Sequence, residues 1–177
     1  MKSKLTIALM SSAFLLILLN FSSCSNEKKT ADQKMMAEKI YDETADARAD
    51  IEKAIIKAQA QGKHILLMFG GNWCIWCHRL HRLFKQDRTI RKFLERNYVL
   101  VMVDVGKRDK NLDLNERYGN PFQHGFPVLV VLDKDGCQLH TQETGSLEYT
   151  ALESSKKGHH PQRVLEFLKT WAPKSSD

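Results

Sequence analysis

The sequence predicts an α/β fold, a central mixed β-sheet flanked by helices, and three observations carry that reading. Two near-continuous apolar runs, residues 64–69 and 128–132, have the composition of strands buried on both faces. Segments with apolar residues at helical spacing stand before, between and after them. The resulting order is helix, strand, helix, helix, strand, loop, strand, strand, helix, which fits helices layered around one sheet.

The elements follow in order. The chain opens with Lys2 and Lys4, runs uncharged from Leu5 to Phe21 and reaches Ser22-Ser23-Cys24, a secretory signal pattern spanning residues 1–23. An uncleaved anchor is the alternative, since 17 uncharged residues stand at the lower limit for a bilayer span. Either reading puts the remainder outside the cytoplasm. Residues 24–45 read as a polar tether with a helix at its end, and residues 46–172 as one folded domain. From Met35 to Ala60, the positions Met36, Ile40, Ile51, Ile55 and Ala58 predict one or two helices, with Asp46 or Asp50 as an N-cap.

After the first strand, Trp76, Leu80, Leu83 and Phe84 fall at i, i+4, i+7 and i+8 and form one apolar stripe. His78, His81, Arg82 and Lys85 are expected on the polar side. Asp87 can cap a further helix holding Ile90, Phe93 and Leu94, and residues 99–105 form the next strand. Residues 106–118 are charged, a short helix or loop, and Asn120-Pro121 marks a turn. Pro127 opens the second buried strand, Asp133-Lys134-Asp135-Gly136 reads as a hairpin turn, and a strand follows over 137–143. Residues 144–160 are polar and irregular. Pro161 then starts a helix whose buried face is Val164, Leu165, Leu168 and Trp171.

Charge excludes one class of partner. Without residues 1–23 the chain has 25 basic and 21 acidic residues, net +4, with no dense basic stripe, so nucleic acid is not expected as a ligand.

The chemistry concentrates at Trp73-Cys74-Ile75-Trp76-Cys77, placed at a strand-to-helix junction. Two thiols at i and i+3 share a helix face, which suits dithiol redox chemistry. A free cysteine titrates near about 8.5. In the first turn of a helix, where N–H groups are unpaired and the macrodipole is positive, it can fall to about 3.5–7.5. Cys74 is therefore the expected attacking sulfur and Cys77 the resolving one. His78, if protonated, would add positive potential at Cys74. Cys137, left over from this arithmetic, is expected to be a small buried hydrophobe at the start of a strand.

These residues resemble a known family. The strand ending Met68-Phe69, Trp73 before the Cys74/Cys77 pair, Tyr118-Gly119 followed by Gly125-Phe126-Pro127, the paired strands around Asp135-Gly136 and the closing helix are together similar to the thioredoxin-like proteins, over about residues 46–172. The resemblance implies a thioredoxin-like fold, a cis bond at Phe126-Pro127, and a substrate platform there whose backbone aligns an extended partner; Trp73, an aromatic beside the reactive pair, is itself expected at the rim of the site. The resemblance also implies thiol–disulfide exchange with disulfides or thiols in other proteins, no bound cofactor, and a membrane electron donor if the direction is reductive. Thioredoxins proper carry a buried aspartate six residues before the first cysteine, where this chain has Met68, so that side chain is not there to move protons. Phe21-Ser22-Ser23-Cys24 in turn resembles the bacterial lipoprotein box, which implies lipid attachment at Cys24 and a membrane-anchored protein of the bacterial cell envelope facing the periplasm.

Three rival readings use the same cysteines. Cys74-Ile75-Trp76-Cys77-His78 matches the attachment motif of c-type haem, which would need His78 as an axial ligand and a large apolar pocket. Zinc held by Cys74, Cys77, His78 and His81 is conceivable by ligand type, but a regular helix does not converge those four on one point, so no metal is expected. A binding module with a static disulfide is the non-catalytic alternative.

Overall fold

β1, His64–Gly70, owes its central place to composition: Ile65 to Phe69 are all fully buried, which only a strand covered on both faces and both edges allows. In this computed structural model, which describes residues 32–174, β1 pairs in parallel with β2, Tyr98–Asp104, and antiparallel with β3, Val128–Leu132. β4, Gln138–Glu143, pairs antiparallel with β3, giving one mixed sheet in the order β2-β1-β3-β4. The expected fold class stands.

Alternate residues of the strands serve opposite faces. Leu66, Met68, Leu129 and Val131 pack with Leu80 and Phe84 of α2 (Ile75–Gln86), Ile90 and Leu94 of α3 (Arg88–Asn97), and Val164 and Leu168 of the C-terminal helix Pro161–Thr170. Ile65, Leu67, Phe69, Val128 and Val130 pack on the other face with Ile51, Ala54 and Ala58 of α1, Ala47–Gln61. Alanines on the inner side of α1 let that helix lie close on the sheet. Leu114 of α4, Leu112–Arg117, joins the same core; numbering in chain order makes the C-terminal helix α5.

The caps match the sequence reading and narrow it. Asp46, rather than Asp50, caps α1 by accepting from the amides of Arg48 and Ala49, and Asp87 caps α3 through Thr89 and Ile90. Gly62, at φ 62°, ends α1 in the left-handed region. Pro161 stands at the start of α5.

Three expectations are corrected. Of the one or two helices expected from Met35 to Ala60, two are present, 32–36 and Ala47–Gln61, but residues 38–46, with Ile40 among them, are not helical. Asp42 turns the chain there by accepting from the amide and hydroxyl of Thr44. Cys137 is exposed rather than buried, because the following strand is an edge strand with solvated side chains, while the Cys137 amide is held by Asp133. His78 is 2% exposed although its helical position read as polar. Residues 1–23, read as a signal segment, Cys24 and most of the stretch read as a tether lie outside the described residues. Among the described residues, no helix is long and apolar enough to cross a membrane.

Candidate active site

β1 delivers the chain at Gly70 into a tight turn, closed by the Cys74 amide donating to the Gly71 carbonyl at 3.0 Å. Cys74 is the N-cap of α2, and its Sγ accepts from the Cys77 amide at 3.1 Å, so a sulfur occupies the place where a capping oxygen usually sits. Cys74 and Cys77 are joined in a disulfide, with Cα atoms 5.2 Å apart. Cys74 is 5% exposed and Cys77 0%, so the first sulfur is the nearer to solvent. Amides of the first turn and the helix dipole both favour negative charge at Cys74 when the disulfide opens.

The Phe126–Pro127 peptide bond is cis. Gly125, at φ 79°, turns the chain into it, and the Thr144 hydroxyl donates to the Pro127 carbonyl at 2.6 Å. Phe126 meets Trp73 edge to face, ring centroids 5.8 Å apart, which brings the proline turn beside the cysteine turn. Trp73 is 45% exposed, and its indole N–H donates to the Gly106 carbonyl. Phe122 packs on Phe126 from the other side, and the Arg108 guanidinium lies 5.2 Å from the Phe126 ring. These residues form an aromatic rim with a cationic edge. Trp76, the other tryptophan of the motif, packs against the core and meets the His159 ring edge to face at 5.7 Å.

His78 points inward. Its Nε2 lies 2.9 Å from the Asn72 carbonyl, an acceptor, so Nε2 carries the proton and faces no open space. The axial-ligand role required by the haem reading would break this contact. Among the described residues, no group of three or more His, Cys, Asp or Glu could hold a metal ion.

Three residues at the site gave no signal in the sequence. Asn72 is a latch: its Oδ1 accepts from the amides of Ile40 and Tyr41 at 2.9 and 3.0 Å, and its Nδ2 donates to the Tyr41 carbonyl and Glu43 Oε1, both at 2.9 Å. This pins residues 40–43 against the cysteine turn and carries Tyr41 into the core, where it is fully buried. His159, from the stretch read as irregular, is buried under Trp76 with neither ring nitrogen hydrogen-bonded. Asn72→Ala removes four bonds and strands two part-buried amides. It is expected to cost about 2 kcal/mol, read as a lower urea midpoint with faster hydrogen exchange at the amides of residues 40 and 41. An unchanged midpoint would show that the latch contributes nothing.

A dithiol pair capping a helix beside a cis-proline turn, on this sheet order, defines a thioredoxin-type redox site. A family model described as thioredoxin-like matches residues 46–134, half of the chain, and the chain belongs to the thioredoxin-like family. The chain is similar to a solved disulphide isomerase from Xylella fastidiosa Temecula1, at 32% identity and a TM-score of 0.64, covering 75% of this chain and 96% of that one. It is 30% identical over 96 residues to the disulfide bond reductase DsbH of Chlamydia pneumoniae, covering 49% of this chain. It is 29% identical over 98 residues to the thiol:disulfide interchange protein DsbD of Colwellia psychrerythraea, covering 54% of this chain. The chain spans 56% of the length of DsbH and 16% of DsbD. The relatives are disulfide oxidoreductases by name, and the Cys74–Cys77 pair is the group with which this family member would do that chemistry.

Proposed function

We propose that this protein is an exported thiol–disulfide oxidoreductase that reduces or exchanges disulfides in other proteins. The observation that carries the reading is the Cys74–Cys77 pair at the N-terminus of α2, beside the cis Phe126–Pro127 turn. In the reductive direction, the Cys74 thiolate attacks a substrate disulfide and one substrate sulfur leaves. The Cys77 thiolate then attacks Cys74 Sγ, closing the enzyme disulfide and releasing the second substrate sulfur. Two electrons pass to the substrate, and the two enzyme thiol protons end on its two sulfurs. The Phe126–Pro127 backbone aligns an extended segment of the partner, Trp73 and Phe126 give that segment an apolar rim, and His78 supports the turn rather than the thiolate. No cofactor is called for, because the dithiol itself holds the electrons.

Residues 1–23 act as a lipoprotein signal peptide, Cys24 carries the lipid, and residues 24–45 connect it to the domain 46–172. The protein then works at the bacterial cell envelope, lipid-anchored and facing the periplasm, and a membrane electron donor recharges it when it reduces. The reading is tested by equilibrating the protein with glutathione buffers and measuring the reduction potential of the Cys74–Cys77 couple. A value between about −270 and −120 mV is expected, the span of working redox folds, whereas one well below about −300 mV would mark a static structural bridge.

A further inference from the structure

Behind the cysteine turn, Gly70 has two close neighbours that only the absence of a side chain permits. A Cβ added to Gly70 would lie 2.4 Å from the Tyr41 hydroxyl oxygen and 2.5 Å from Cys77 Sγ. Both atoms therefore approach the same bare position at Gly70 and lie no farther apart than those two distances laid end to end. Tyr41 is fully buried, and its hydroxyl has no hydrogen-bond partner while Cys77 is tied to Cys74. A buried hydroxyl without a partner is costly, by about 1–3 kcal/mol, and the fold keeps one beside the sulfur that must become an anion. The position is enforced rather than incidental, because Asn72 of the cysteine turn holds the Tyr41 amide and carbonyl.

We propose that Tyr41 is the hydrogen-bond donor for the Cys77 sulfur in the opened state, stabilising its thiolate for the resolving step. This rests on the redox reading of the pair given above. Once a substrate sulfur has replaced Cys77 as the partner of Cys74, Cys77 Sγ is free to rotate toward the phenol. A thiolate in that dry site is otherwise penalised by burial, and an O–H donor offsets the penalty. The resolving step then forms the Cys77–Cys74 S–S bond and breaks the bond from Cys74 to the substrate sulfur, which leaves with the electron pair and takes up the Cys77 proton. Tyr41 gives up no proton in this cycle. Its phenol is held well above the ordinary tyrosine range by burial and then by the Asp104 carboxylate, so it stays a donor. The other charged or titratable groups near the pair are Asp104, itself buried and 3.3 Å from Lys110 Nζ, and His78, whose Nε2 is occupied by Asn72.

The test titrates Cys77 alone, with Cys24, Cys74 and Cys137 all replaced by serine so that no other thiol contributes. In full-length protein carrying Cys24→Ser, Cys74→Ser and Cys137→Ser, thiolate absorbance and the rate of alkylation give the pKa of Cys77. Adding Tyr41→Phe, which deletes one oxygen and keeps the ring, is expected to raise it by about one unit, a tenfold loss of thiolate at a given pH. Gly70→Ala, whose methyl would press on both the hydroxyl and the sulfur and force them to move, is expected to shift it the same way. In otherwise wild-type protein, Tyr41→Phe leaves the oxidised form as stable as before or more so, and destabilises only the reduced form above the Cys77 pKa. An unmoved Cys77 titration, or an equal loss of stability in both redox states, gives Tyr41 a packing role and overturns the proposal. The titration reads Cys77 whether or not the protein turns over a substrate, so its outcome is separate from that of the oxidoreductase reading.

Discussion

Cys74→Ser is expected to abolish disulfide exchange, by on the order of 10³-fold or more, whereas Cys77→Ser stops the reaction halfway. The asymmetry follows from the two positions. Cys74 caps α2, receives the Cys77 amide on its sulfur and is the nearer of the two to solvent, so an incoming disulfide meets it first. A serine there can cap the helix equally well, since hydroxyls are preferred N-caps, and the variant should fold normally while lacking a nucleophile. Cys77 has no exposed surface and can attack only a sulfur already bound to Cys74. With serine at 77 the first attack proceeds, and the protein accumulates as a covalent adduct with its partner. The measurement is insulin reduction for turnover, with non-reducing electrophoresis for the adduct. Residual turnover in Cys74→Ser, or no reducible adduct in Cys77→Ser, would reverse the assignment of roles.

What was legible in the sequence was whatever is decided locally. The apolar run of β1, the stripe Trp76, Leu80, Leu83 and Phe84, the caps Asp46 and Asp87, and Pro161 at the start of α5 each depend on residues a few places apart. The cysteine pair was legible for the same reason, because its spacing and its junction lie within one turn. What remained hidden depends on distant chain segments. Asn72 reads as one more turn residue until it closes on Tyr41, 31 positions earlier. Tyr41 sits in residues 24–45, read as a tether with a helix at its end, off the apolar spacing of that helix, and nothing nearby announces that its ring is core. His78 fails differently: its helical position is polar by period, but the Asn72 carbonyl closes over it, so the helix has no solvent on that side of its first turn. Cys137 shows the reverse, an apolar-type residue left outside because the strand after it forms a sheet edge.

Acidification from about pH 6.5 to about pH 4 is expected to remove up to roughly 3 kcal/mol of stability through His159 alone. Burial first, and the Arg79 charge second, hold the His159 imidazole down from 6.5 to about 4. Its native value lies below its unfolded one, so the unfolded chain takes up the proton more readily. The native state keeps its full advantage above about 6.5, loses it as pH falls toward 4, and loses nothing further from this group below that, where both states are protonated. Carboxylates held below their ordinary range by hydrogen bonds, such as Asp42 and Glu153, add their losses at the acid end of this window and below it. Glu148, raised by burial and then by Glu143, and paired by a backbone bridge with His159, acts in the opposite sense and partly offsets the fall at the acid end. His159→Phe keeps a ring against Trp76 and, since neither imidazole nitrogen has a partner, strands no hydrogen bond. Urea midpoints followed by tryptophan fluorescence should fall across this window in the wild type and stay nearly level in the variant. The consequence reaches the redox pair, because Trp76 stands between the two cysteines in sequence and packs on His159. Charging that histidine puts a cation beneath the residue that seats the first turn of α2. A wild-type midpoint as level as that of the variant would mean that the imidazole is hydrated in the native protein, and that Trp76 does not shield it.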